Sequence, residues 1–324
     1  AVFVLGDSTN TDPTAVRIRN VSTSGFEAVP VEPPGPDSVD INTTFDYLVI
    51  EKGLHQFPGG ERIVVGEALV SQIQHGNGVA GAEGYQTVSF GTTFPTVPAV
   101  LAQIQGMENE PGHTPGAPSI PWLTVAVESN SVTNSSVRLA LDRAEVNVPN
   151  PFNPIPEAVA FLAVEEQIIT PITDTNGNSV LLEAQTTADN ITGWPGCIIA
   201  NFLQTYPANP IVVGHKNRHD GGDGGWLRRC SLSTASVGLL VDEDQTQNSE
   251  RSHTTENAGL MVFSQPFAFD PSLVASYQME ESAWSGSAGE VVDQTGNGND
   301  GTAFNGTNNA GLSPAIVGDR KSVV

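Results

Sequence analysis

The sequence predicts an all-β protein built of tandem antiparallel β-sandwich modules. Three observations predict it. Gly 33 and Pro 23 in 324 residues, with abundant Val, Thr, Ser and Asn, favour strands and turns over helices. Apolar and polar residues alternate in Val16-Arg-Ile-Arg-Asn-Val21, Leu123-Thr-Val-Ala-Val127 and Val137-Arg-Leu-Ala-Leu141, the period of a half-buried strand. A similar pattern also recurs three times, which marks an array of like modules.

Each repeat opens on a small apolar strand: Ala1-Val-Phe-Val4, Pro98-Ala-Val-Leu-Ala-Gln-Ile104 and Pro210-Ile-Val-Val213. A serine/threonine turn then precedes an alternating strand, at residues 22–29, 132–141 and 231–241. A second apolar strand closes each copy, at residues 45–51, 157–164 and 256–263. Two anchors superpose the copies: Ala1, Ala99 and Ile211, then Tyr47, Phe161 and Leu260. The anchor-to-anchor spans are 46, 62 and 49 residues, so the middle copy carries an insertion, visible as the Gly-, Pro- and Glu-rich stretch 107–121. Closure entropy grows slowly with length, so a loop absorbs it cheaply.

Connectors at 61–73, 167–173 and 179–185 read as extra strands of the modules, with Asn77-Gly and Asn176-Gly turns. Modules two and three each open on a further strand, at 85–94 and 197–206, and module one has none. That predicts an edge at Ala1, Val2, Phe3, Val4 and Leu5 open to strand addition between subunits. The expected boundaries are 1–82, 83–190 and 191–270 for the modules and 271–324 for a last, incomplete segment.

Formal charge is −23, from 36 acidic and 13 basic residues. Nucleic acid is excluded as a partner, because binding it requires clustered Lys and Arg. No apolar run is long enough for a membrane span. The opening on a strand suits a mature product or an excerpt of a longer chain. Cys197 and Cys230 both fall on strands of module three and are read as a disulfide, against two buried free thiols. The disulfide implies an oxidising compartment, hence export.

Phe94-Pro-Thr-Val-Pro-Ala-Val100 and Ala160-Phe-Leu-Ala-Val164 carry a resemblance to H-type lectin repeats, which extends across residues 1–267. The resemblance implies six-stranded antiparallel sandwiches, often trimeric, that bind galactose-type sugars. Tyr277-Gln-Met-Glu-Glu-Ser-Ala-Trp284, Gly289-Glu-Val-Val-Asp293 and Gly296-Asn-Gly-Asn-Asp-Gly-Thr302 resemble the start of a laminin-G-like jelly roll. This order of modules is similar to large bacterial surface proteins associated with mannose-sensitive-haemagglutinin type IV pili. It implies a secreted or cell-surface, pilus-associated role.

Candidate ligand residues concentrate in module three. Sugar sites combine polar fingers with an aromatic for the apolar ring face, and Trp226, Arg228, Asp242, Arg251 and His253 supply both. Against that stands a solvated loop whose Arg and Asp residues pair with each other. Asp220, Asp223, Asp242 and Asp244 are a candidate calcium set, since oxygen-rich loops suit a hard cation, although their spacing matches no EF-hand. No nucleophile elbow, phosphate loop or His-Glu-x-x-His occurs, so an enzyme is not expected. Two functions are expected from the sequence: adhesion through lectin-like modules that bind glycans or polysaccharide, and a structural subunit of a filament or stalk joined to like subunits by strand complementation.

Overall fold

The computed structural model describes residues 1–9, 11–31, 43–74, 84–110, 123–142, 155–221, 224–243, 245 and 250–269. The C-terminal segment that resembles the start of a laminin-G-like jelly roll in sequence lies outside these residues. The protein is all-β, with no helix among the described residues. Its strands are β1 (Val2–Gly6), β2 (Ala15–Ser22), β3 (Gly25–Val31), β4 (Phe45–Val49), β5 (Gly53–Gln56), β6 (Arg62–Val70), β7 (Ile73–Gln74), β8 (Gln86–Ser89), β9 (Ala99–Ile104) and β10 (Thr124–Val127). They continue as β11 (Ser136–Asp142), β12 (Glu157–Val164), β13 (Gln167–Thr173), β14 (Ser179–Thr186), β15 (Ile198–Asn201), β16 (Ile211–Lys216), β17 (Trp226–Leu232), β18 (Ser236–Asp242) and β19 (Ala258–Phe263).

Small antiparallel sheets organise these strands into three units. In the second unit, the sheet β5-β6-β12-β9 faces a sheet in which β11 pairs with β10, β8 and β7. Alternating side chains from both sheets meet in one apolar cluster, including Val100, Ala102, Phe161, Val125, Val137, Leu139 and Leu141. The third unit repeats this with β13-β14-β19-β16 against β15-β18-β17, around Val212, Leu260, Val262, Val237 and Leu239. Among the described residues, the first unit holds the pairs β1-β4 and β2-β3.

The anchors read from sequence coincide with the pairing register. Val4, Ala102 and Gly214 each stand three residues past the first anchor. They pair with Tyr47, Phe161 and Leu260, the second anchors. The serine/threonine turns also match. Thr133 Oγ1 accepts from the Ser136 amide at 3.0 Å, and Ser233 Oγ accepts from the Ser236 amide at 3.0 Å. In the first unit Ser22 Oγ accepts from the Ser24 amide at 3.3 Å and donates to the Gly25 carbonyl at 3.1 Å. A short hydroxyl side chain satisfies the turn's own backbone, which is why Ser or Thr recurs there.

Two expectations are displaced. The connectors belong to the following unit rather than the preceding one: β5 and β6 lie in the sheet of β9 and β12, and β13 and β14 in the sheet of β16 and β19. The unit boundaries therefore fall earlier than 82 and 190. The units are also not strung in a line. Phe3, Leu101 and Val213, at one repeat position, join a single buried cluster. So do Leu48, Leu162 and Met261, at another. Ala99, Val164 and Phe263 lie in the same cluster, with Ala1, Ile50 and Ile211 packed against it. Equivalent faces of the three units thus close on one axis inside one chain. Gly259 marks how close the approach is: a Cβ there would stand 2.1 Å from the Val100 carbonyl oxygen of the neighbouring unit.

Candidate functional site

The residues singled out in module three do come together, but inside the protein. Trp226, Arg228, Asp242, Arg251 and His253 are all buried, Arg228 at 1% exposure and Asp242 at 0%. Strands β17 and β18 present the first three, because Trp226 pairs with Asp242 in their register. Asp242 accepts from Arg228 Nη1 at 2.5 Å and from Arg251 Nε and Nη2 at 2.7 Å each. The remaining guanidinium donors reach the first unit's loop of residues 7–14. Arg228 donates to the carbonyls of Asp7 (3.1 and 2.9 Å) and Asp12 (2.6 Å), and Arg251 to that of Thr11 (2.7 Å). Trp226 Nε1 donates to the Thr14 carbonyl at 3.1 Å, and the Arg251 guanidinium lies 4.4 Å from the Trp194 ring centre. A planar group with five donors suits this work, since it can hold a carboxylate and several carbonyls at once.

A similar clasp recurs between the first and second units. Arg17 holds the repeat position of Arg228. It reaches the second unit, donating to Glu110 Oε1 at 2.9 Å and to the Leu123 carbonyl at 2.7 Å. The second unit has Ala126 at that position. It instead meets the third unit through Ser129, which pairs with Asp220 and accepts from the His219 amide at 3.0 Å. The units are therefore clasped in a cycle: third to first, first to second, second to third. Sequence reasoning missed Arg17, because its equivalence to Arg228 emerges only from the strand register, in which Arg17 pairs with Val29 and Arg228 with Leu240.

Beside the clasp, His253 sits between two carboxylates. Its Nδ1 faces Glu243, and its Nε2 stands 3.0 Å from Glu256 Oε1. Glu256 also accepts from Lys216 Nζ at 3.3 Å and from the Asp220 amide at 3.0 Å. Burial pushes the His253 pKa down, but its hydrogen bonds to Glu243 and Glu256 outweigh that and hold it above the ordinary value. Burial raises the Glu256 pKa, and His253 and Lys216 reverse that and bring it to about 2. His215 is lowered to about 4, by burial first and then by the charge of Lys216.

Of the candidate calcium set, two members lie among the described residues. Asp242 is taken by two arginines, and Asp220 accepts from Arg218 Nε at 2.7 Å. Asp223 and Asp244 lie outside the described residues. Among the described residues, no group of three or more His, Cys, Asp and Glu is arranged to hold a metal ion. Cys197 and Cys230 form a disulfide, with Cα atoms 5.9 Å apart, that ties β17 to the start of β15.

The open edge lies elsewhere than expected. Val2, Phe3, Val4 and Leu5 are buried, and Ala1 is half-buried. One side of β1 pairs with β4. On the other side Gln105 brackets Val2, accepting from its amide and donating to its carbonyl at 2.8 Å each. The physical reason is the sheet order: in the complete units the extra strands flank the closing strand (β6, β14) and the alternating strand (β8, β15), not the opening one. Strands equivalent to β6 and β14 beside β4, and to β8 and β15 beside β3, are absent among the described residues. Tyr47 and Val49 on β4 are accordingly 56% and 55% exposed, whereas the equivalent Phe161, Ala163, Leu260 and Val262 are buried. A polar groove of about 640 Å³ also runs between the first and second units, lined by Arg19, Asn20, Lys52, Glu67, Gln105 and Glu108 among others.

Comparison with models of known protein families, with curated proteins and with solved structures found no match. No helix among the described residues is long and apolar enough to cross a membrane.

Proposed function

We propose that this chain is an exported structural subunit of an extracellular filament or stalk, made of three β-sandwich repeats of the H-type-lectin kind and joined to its neighbours by strand complementation. The observation that carries this is the contrast between its units. The second and third have further strands beside their closing strands, and the third spends its buried Arg228, Arg251 and Trp226 on clasping the first. Among the described residues, the first leaves the outer edge of β4 uncovered. An edge strand with apolar side chains is a template for a further strand. The disulfide fits export, because such bonds persist in oxidising compartments. The resemblance to pilus-associated surface proteins supports a bacterial cell-surface location. Electron microscopy of the native material tests the reading: ordered stalks or filaments are expected, and dispersed particles alone would sink it.

A second reading, adhesion through glycan or polysaccharide binding, is favoured by the groove between the first two units. Its mixture of cationic, anionic and amide side chains suits sugar hydroxyls. Expected on a broad glycan array is selective binding that Arg19→Ala weakens, and clean failure on such an array removes this reading.

A further inference from the structure

We propose that the outer edge of β4 docks one extended apolar segment of another polypeptide, a strand of the β6 kind that runs antiparallel to β4 and places glycine opposite Tyr47.

The ladder of β1 and β4 fixes which groups are available. Ala1 and Ile50 exchange both backbone hydrogen bonds, and Asp7 N–H donates to the Thr44 carbonyl. In an antiparallel pair the bonded positions alternate. Leu48 and Asp46 therefore face β1, and the backbone groups of Phe45, Tyr47 and Val49 point the other way. The second unit shows what occupies that side. There Val159, Phe161 and Ala163, at the same repeat positions, pair antiparallel with Ala68, Gly66 and Val64 of β6.

The glycine follows from the aromatic ring. A Cβ on Gly66 would stand 2.3 Å from Phe161 Cζ, so the ring lies over the bare backbone of the facing strand. The third unit has Leu260 in place of the aromatic, and the facing residue there is Gln185. Tyr47 is the aromatic case, already held at its far side by the edge of the Phe26 ring, 5.5 Å between centres. A second copy cannot lend its own β6, which is paired on both sides by β5 and β12. Among the described residues no strand of the β6 kind is free to serve, and the donor proposed is a separate polypeptide segment.

This rests on the strand-complementation reading and specifies its edge, direction and register. The test uses the full chain and a synthetic peptide of residues 62–70 with lysine tags for solubility. Expected are saturable binding and slowed hydrogen exchange at the Phe45, Tyr47 and Val49 amides. A Gly66→Val peptide should bind at least about tenfold more weakly. The protein variant Tyr47→Arg, whose side chain is exposed and whose thermal midpoint should be unchanged, should lose binding similarly. No saturable binding, unchanged exchange at these amides, or equal binding of the two peptides overturns the proposal. If the peptide binds in this register but microscopy shows only dispersed particles, the docking site stands and the assembly reading falls. If ordered assemblies form but no peptide binds, the docking site falls and the assembly reading stands.

Discussion

At the scale of single residues, the arginine clasp dominates. Arg228 is buried against one carboxylate and two backbone carbonyls. Removing one member of such a set strands the others without water. Arg228→Met should destabilise the protein by about 3–5 kcal/mol, the cost of breaking a buried ion pair, read from urea unfolding. A loss below about 1 kcal/mol would show that the clasp contributes little to holding the units together. The sequence marked this cluster because it concentrates Trp, Arg, Asp and His. It could not tell a ligand site from an internal clasp, since the partners are carbonyls of residues 7–14, more than two hundred positions away. A carbonyl acceptor leaves no trace in side-chain identity.

The histidines make a second prediction at this scale. His215 has a folded pKa of about 4, below its unfolded value of 6.5. The unfolded chain therefore takes up the proton first on acidification. Its contribution is present above pH 6.5 and is lost as pH falls towards 4, at up to about 3 kcal/mol. His219 is lowered by burial and acts in the same direction. Glu256, lowered to about 2 from 4.5, contributes above pH 4.5 and loses that only below it. His253 is raised, so its contribution is present below pH 6.5 and lost as pH climbs through its folded value. Stability should peak near pH 6.5. His215→Gln should flatten the slope between pH 6.5 and 4 and leave the later acid loss intact, which denaturation midpoints across pH would reveal.

At the scale of elements, strand positions and the equivalence of the copies were legible, because both depend on short-range alternation and on apolar anchors. The pairing of Val4 with Tyr47, Ala102 with Phe161 and Gly214 with Leu260 follows the sequence alignment of the copies. Ownership of the connectors was not legible. β6 follows the first repeat in sequence but pairs with β12, nearly a hundred residues later, and nothing local encodes that choice. The disulfide was read from two cysteines on strands of one unit. It closes a loop with a sequence separation of 33. Constraining such a loop in the unfolded chain is worth roughly 3–4 kcal/mol. The paired variant Cys197→Ser/Cys230→Ser should lose about that much in urea unfolding. Gly238 is the strand position that admits the bridge, since a Cβ there would lie 2.6 Å from Cys197 Sγ and 2.9 Å from Cys230 Sγ.

At the scale of the whole molecule, the threefold repeat describes a ring more than a string. Nothing in a repeat says whether copies stack in line or close on themselves. That depends on which face of each sheet is apolar on both sides, and the strands read as core could serve either. The positions of Phe3, Leu101 and Val213 decide it, because all three enter one cluster that also takes Leu48, Leu162 and Met261. A shared core couples the stability of its contributors. The described body should therefore unfold in one calorimetric transition, with calorimetric and van't Hoff enthalpies in agreement. Phe3→Ala and Leu101→Ala, in different units, should each lower that same transition by about 3–5 kcal/mol, the cost of emptying a packed core position. Units merely tethered in line would answer differently: Phe3→Ala would shift one transition of the first unit and leave the others in place. Separate transitions, or a Phe3→Ala effect confined to residues 1–50 by hydrogen exchange, would refute the shared axis.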